Sequence, residues 1–169
     1  MRDLTVFWII VILCVCVDQL SKLRIAQTME LGSSHAVIPG ILDLTYTHNT
    51  GAAFSILTGQ QTLLIVVTAA VMAGMTVYVV RKGRSLFLPE KIAIALIVGG
   101  GAGNLICRIA RGYVIDFINI HILPIFNAAD ICVCCGCALL VLSVLWLEPR
   151  RTARSAEDGA AQVTDDTHE

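Results

Sequence analysis

Four stretches of this chain are too apolar to face water. They are residues 6–17, 63–80 (LLIVVTAAVMAGMTVYVV), 92–107 (IAIALIVGGGAGNLIC) and 131–147 (ICVCCGCALLVLSVLWL). A helix needs about 20 residues to cross the roughly 30 Å of hydrocarbon in a bilayer. The second and fourth stretches nearly reach that length alone. The first and third reach it once their polar outer turns sit at the interface. The rest of the composition agrees. Of 169 residues, 56% are hydrophobic and only 15% charged, against about 45–50% and about 25% in a soluble domain. The expected fold is an all-α membrane protein with four transmembrane helices, near 6–24, 62–80, 91–108 and 128–147, and a small extracytoplasmic β-sheet platform. These form one domain over 1–148. The acidic, aperiodic tail 149–169 is expected to be disordered and cytoplasmic. The first apolar run is expected to stay in place: its flank carries only Arg2, and no small-x-small cleavage pattern follows.

Loop charge sets the orientation. Arg2, Arg81, Lys82, Arg84, Lys91, Arg150, Arg151 and Arg154 fall on one side, and Lys22, Arg24, Arg108 and Arg111 on the other. The bias places both termini in the cytoplasm and the segments 25–62 and 108–126 outside. In the first of these, LDLTYTH alternates apolar and polar residues, which predicts a strand after the Pro39-Gly40 turn. In the second, GYVIDFINIHI is β-branched and aromatic and predicts another.

Two acids stand where a membrane protein tolerates few. Asp116 lies in VIDF, and Asp130 opens the fourth apolar stretch. An ionised carboxylate in hydrocarbon costs about 2.5–3.5 kcal/mol even on insertion scales. Other unusual polar residues gather at the same face: Asp18, Gln19 and Lys22, NTGAAFS at 49–55, Asn104, Arg108 and Asn127. Two carboxyls sharing one proton can activate water against a peptide bond, and this convergence predicts one site.

Each residue also has a plainer reading. Asp18 and Lys22, spaced i, i+4, read as a helix-surface ion pair. Asn127 reads as a helix N-cap and Asp130 as a complement to the helix dipole. Arg108 reads as an anchor for its helix end. GGGAGN lacks the strand and lysine of a phosphate loop, and Gly99 with Gly103 reads as a GxxxG packing face. Four of the seven cysteines crowd into 132–137, but helical spacing spreads them around the axis, so they read as packing residues rather than metal ligands. His48 and His121 lack a partner at ligand spacing. A rival function is a small transporter or channel subunit using Asp116 and Asp130 as a proton path.

DQLSK at 18–22, NTGAAFS at 49–55, GGGAGNLICR at 99–108, VIDF at 114–117 and FNAAD at 126–130 occur in one order. Together they resemble lipoprotein signal peptidase, or signal peptidase II. The resemblance runs from Asp18 to about Leu147. It implies an aspartic endopeptidase of the bacterial inner membrane that cuts diacylglyceryl-modified prolipoproteins just before the lipidated cysteine. By position, Asp116 and Asp130 are the implied catalytic pair. Asn49, Gly51, Asn104, Arg108, Asn127, Asp18 and Lys22 are implied to support the site or bind substrate. The implied partners are the prolipoprotein and membrane lipids, with no nucleic acid, metal or other cofactor, and the chain is expected to act as a monomer. Three positions depart from the family pattern. Cys107 replaces the acid before Arg108, Ile131 the serine after the second aspartate, and Ala128 the leucine of FNLAD.

Overall fold

The computed structural model describes residues 2–51, 60–83 and 85–147. Within them lie four helices long and apolar enough to cross a membrane. They are α1 (Arg2–Thr28), α2 (Gln61–Lys82), α3 (Leu88–Arg111) and α4 (Ala128–Leu142), the last continued by a π-helical turn at Ser143–Leu147. A three-stranded antiparallel sheet completes the fold, in the order β1 (Ser34–Ile38), β2 (Leu42–Asn49), β3 (Val114–Asn119). The cytoplasmic tail expected at 149–169 lies outside the described residues, as does the part of NTGAAFS beyond Gly51.

Helix α3 is the hub, and its glycines explain why. A methyl group at Gly99 would press on Cys14 and Val11 of α1. One at Gly100 would meet Ala129, Cys132 and Val133 of α4, and one at Gly101 would meet Met72 of α2. Gly103 lies against the Asp18 carboxyl. The bare backbone therefore admits three neighbours at once, as small residues do between membrane helices. Gly99 and Gly103 both face α1, as the GxxxG spacing predicts. Around this hub Phe7, Val11, Val79, Ile94, Ala95 and Val98 form the buried helical core. The outer faces of the other helices carry Ile12, Leu20, Val66 and Leu145, exposed. Such surfaces suit lipid contact and would be a liability in water.

The sheet begins where α3 stops. Gly112 takes the left-handed conformation (φ 76°) and its N–H donates to the Arg108 carbonyl oxygen at 3.0 Å, closing the helix. Two residues later β3 starts. Its first four residues are buried on both faces, so VIDF is held between the rest of the sheet and the helices. Ile25 and Tyr46 join Ile115 and Phe117 in a second core that fixes the sheet to the end of α1. The sequence predicts two strands, and the structure adds β1. Every residue of β1 is exposed, so no alternation marks it. It forms because Gly40, at φ 74°, turns the chain back on β2.

Candidate active site

Five elements send polar side chains to one end of the helical bundle. The middle of that cluster is Asn127. It caps α4: its side-chain oxygen accepts from Asp130 N at 3.1 Å, and its own N–H donates to Asp130 Oδ2 at 3.0 Å. The capping reading of Asn127 and Asp130 is thus correct and incomplete. Asn127 Nδ2 also donates to Asp116 Oδ1 at 2.6 Å and to Asn104 Oδ1 at 3.2 Å. One amide therefore ties together the two aspartates and α3.

The two carboxyls differ in setting. Asp116 is 2% exposed, pairs with Thr47 across β2 and β3, and accepts from Asn49 Nδ2 at 2.9 Å through its second oxygen. Burial pushes its pKa up to about 6, and the Asp130 charge adds to the rise, against the pull of Asn49, Asn127 and Lys22. Asp130 is half-buried. Its Oδ1 accepts from Asn104 Nδ2 at 2.9 Å.

Asn49 is itself aimed, because its side-chain oxygen accepts from Gly51 N at 2.8 Å. Arg108 extends from α3 and donates to the Gly51 carbonyl at 3.1 Å. Its Nε is buried with no hydrogen-bond partner among the described residues. Arg108 therefore does more than anchor a helix end: it holds the start of the NTGAAFS segment beside the aspartates. Cys107, in place of an acid, lies against Gln19, whose Nε2 approaches its Sγ at 3.6 Å.

The surface reading of Asp18 and Lys22 is wrong. Both are buried, at 0% and 1% exposure, with Lys22 Nζ 2.8 Å from Asp18 Oδ2. A surface pair is recognised by spacing on one helix. Here the other elements close over it. Ala129 N of α4 donates to Asp18 Oδ1 at 3.0 Å, and Lys22 Nζ donates to Asn104 Oδ1 at 2.7 Å. Gln19 completes the contact by donating to Asp18 Oδ2 and to the Gly103 carbonyl, each at 2.9 Å. Its polarity after the apolar run of α1 is the signal that marked it, although the family pattern gave it no role.

The histidines are occupied elsewhere. His48 stacks on Tyr113, centroids 3.7 Å apart, and lies 2.9 Å from the Tyr46 hydroxyl. Burial and then Arg111 hold its pKa below the usual imidazole value. His121 pairs with Asp43 at 3.2 Å. Among the described residues no group of three or more His, Cys, Asp or Glu is placed to hold a metal ion. The cysteines need one correction. Cys14 and Cys107 are buried, but Cys16, Cys134, Cys135 and Cys137 are exposed on the helix surfaces rather than packed. A thiol is a weak, small, apolar group and is tolerated there as readily as in a core.

The geometry can be set beside known proteins. The family profile for signal peptidase (SPase) II matches residues 10–146, which span every element of the site. The chain belongs to the signal peptidase II family. The lipoprotein signal peptidase of Symbiobacterium thermophilum is 40% identical over 149 residues, 86% of this chain and 97% of that protein. That of Halothermothrix orenii is 38% identical over 143 residues, covering 85% and 97%. A bacterial membrane enzyme solved by the in meso method at 2.3 Å superposes with a TM-score of 0.78 at 33% identity, covering 83% of this chain and 88% of that one. As a member of the signal peptidase II family the chain is a peptidase and a multi-pass membrane protein.

Proposed function

We propose that the chain is an aspartic endopeptidase that removes the signal peptide from diacylglyceryl-modified prolipoproteins, cutting before the lipidated cysteine. The observation that carries this reading is the pair Asp116 and Asp130. They are linked through Asn127, one buried in the sheet and one half-open at a helix start. Two carboxyls in unlike settings are the arrangement that separates an acid from a base. The ionised carboxylate takes a proton from water as its oxygen attacks the scissile carbonyl carbon. The protonated carboxyl gives its proton to the carbonyl oxygen. The tetrahedral intermediate then collapses, the C–N bond breaks, and a proton passes to the leaving amine. Arg108 Nε, buried and unpaired among the described residues, is a donor ready for a substrate oxygen. The reading needs no metal and no nucleotide.

The substrate class fits this placement. The site lies in the outer turns of α1 and α3 and at the start of α4, so the lipid can stay in the bilayer while the bond to be cut lies near its surface. In this reading the chain sits in the bacterial inner membrane, and the loop charges favour cytoplasmic termini with the site on the outer face. It acts as a monomer among membrane lipids. The proton-path alternative loses its ground, because the acids of the site gather at one end and family membership does not favour it.

The test is direct. The purified full chain in detergent should cut a diacylglyceryl peptide immediately before its modified cysteine and leave the unlipidated peptide intact. Cutting elsewhere, or equal cutting of both peptides, would overturn the substrate assignment.

A further inference from the structure

The Asp18–Lys22 pair is buried at high cost, and the chemistry above does not use it. Its geometry points toward the reacting groups. An ammonium can only donate hydrogen bonds. Lys22 Nζ, 2.7 Å from Asn104 Oδ1, therefore dictates which way the Asn104 amide faces. Asn127 Nδ2 donates to the same oxygen at 3.2 Å. With both donors on Oδ1, Asn104 must turn its NH2 to Asp130 Oδ1, at 2.9 Å. A flipped amide would set an NH2 group against the ammonium and leave Asp130 Oδ1 facing another oxygen.

We propose that Lys22 is a positioning residue for the peptidase reaction: through Asn104 it fixes a hydrogen-bond donor on Asp130, so that the proton shared by the two aspartates resides on Asp116. The proposal rests on the aspartic peptidase reading of the site. It divides the labour of the buried pair. Asp18 holds the start of α4 by accepting from Ala129 N, and Lys22 sets the proton.

The remaining surroundings agree. Asp130 faces Arg108 as well as Asn104 and Asn127. Asp116 faces Asn49 and Asn127, with Asp130, Lys22 and Arg108 as the charges near it. Lys22 itself meets Asp18 and Asn104. The deeper burial of Asp116 favours its neutral form, as its raised pKa reflects.

Two experiments decide the matter. The first uses Lys22→Met and the charge-balanced double variant Asp18→Asn/Lys22→Gln, assayed on lipidated peptide across pH. The double variant removes both charges together and so avoids a lone buried carboxylate. Its neutral amide at 22 either donates or accepts, so it no longer fixes Asn104. The expected result is a loss in kcat of about a hundredfold, the scale of a slightly misplaced group, with KM nearly unchanged. The pH optimum should rise by about half a unit, because the ionised form of Asp130 loses the donor that Asn104 holds on it. A folded double variant with the wild-type kcat and pH optimum would overturn the proposal and leave Lys22 a purely structural residue.

The second experiment reads the wild-type site itself. Carboxyl carbons of aspartate are labelled in the wild-type chain and titrated by NMR, with Asp116→Asn assigning the signals. The signal that moves between pH 5 and pH 7 should be that of Asp116. If Asp130 moves there instead, the proposal falls. Failure of the underlying reading would look different: Asp116→Asn or Asp130→Asn would retain cleavage.

Discussion

Asp116 is costly where it sits, and the proposed chemistry depends on it. Its carboxyl is raised to about 6 by burial, above the value near 3.8 it has in the unfolded chain. The stability tied to its proton is therefore fully present below about pH 3.8 and is lost as pH rises through about 6. Above that, the folded chain carries an ionised buried acid at a cost of about 3 kcal/mol, two units at about 1.4 each. Asp116→Asn removes that cost. It also leaves Asn49 or Asn127 with one amide donor unmatched, worth about 1–3 kcal/mol. The variant should thus lie within about 2 kcal/mol of wild type at pH 8. It should lose about 2 kcal/mol relative to wild type between pH 8 and pH 4.5, read from thermal melts in detergent. The opposite slope would show that Asp116 is not held neutral by burial. Cleavage of lipidated peptide should fall to a trace in both Asp116→Asn and Asp130→Asn, since an amide neither takes the water proton nor supplies one. For the intact enzyme kcat/KM should follow a bell, with the pair titrating as a unit. Its alkaline limb should fall as pH rises through the region near 6 where the free enzyme loses the Asp116 proton. At this scale the sequence announced both acids, because Asp130 opens an apolar span and Asp116 interrupts an apolar strand beside it. It did not reveal the burial of Asp18 and Lys22. Spacing on a helix says that two side chains meet, but not that Asn104 and Ala129, from distant parts of the chain, close over them.

Among the elements, α3 carries the sharpest constraint. A methyl group at Gly103 would run into the Asp18 carboxyl, and one at Gly100 into the Ala129 carbonyl. Gly103→Ala and Gly100→Ala should each destabilise by about 1–3 kcal/mol, the usual cost of overpacking, and both should lower activity by shifting α1 or α4. Gly74 of α2 has nothing within 4 Å of its missing methyl. Gly74→Ala should be neutral or stabilising by up to about 1 kcal/mol. Thermal melts of the three variants side by side would decide; equal losses in all three would refute the packing account. Helix α4 supplies a second contrast. Replacing Cys132, Cys134, Cys135 and Cys137 together by Ala should leave cleavage within about an order of magnitude, because three of the four are exposed and helical spacing spreads them around the axis. A folded but inactive quadruple variant would point to a role for those thiols. The helices, and the glycine face of α3, were legible as periodicity and run length. Strand β1 was not, since a strand exposed along its whole length has no buried face to impress a pattern on the sequence.

For the molecule as a whole, the polar residues divide by end. Asp18, Asn49, Asn104, Asp116 and Asn127 join one hydrogen-bonded network, while Glu90 and Lys91 lie buried at the opposite end of α3. The site was legible because its motifs recur at one predicted face, and a bundle with short connections has to bring that face together. The bias of Lys and Arg predicts that a reporter inserted at Ser33 is external and one fused after Arg154 is cytoplasmic. A cytoplasmic signal from Ser33 would put the site in the wrong compartment for exported substrates. The network also has a place in time. Asp18 receives its donor from Ala129, 111 residues later in the chain. At ribosomal rates of about 5–20 residues per second, α1 waits roughly 5–20 seconds for that partner. Until the chain reaches α4, Asp18 lacks its Ala129 donor and Asp130 has not been made. If the proposed pair does the chemistry, the nascent chain has no hydrolytic site before Asp130 is made, and any ribosomal product that stops short of α4 is born inert.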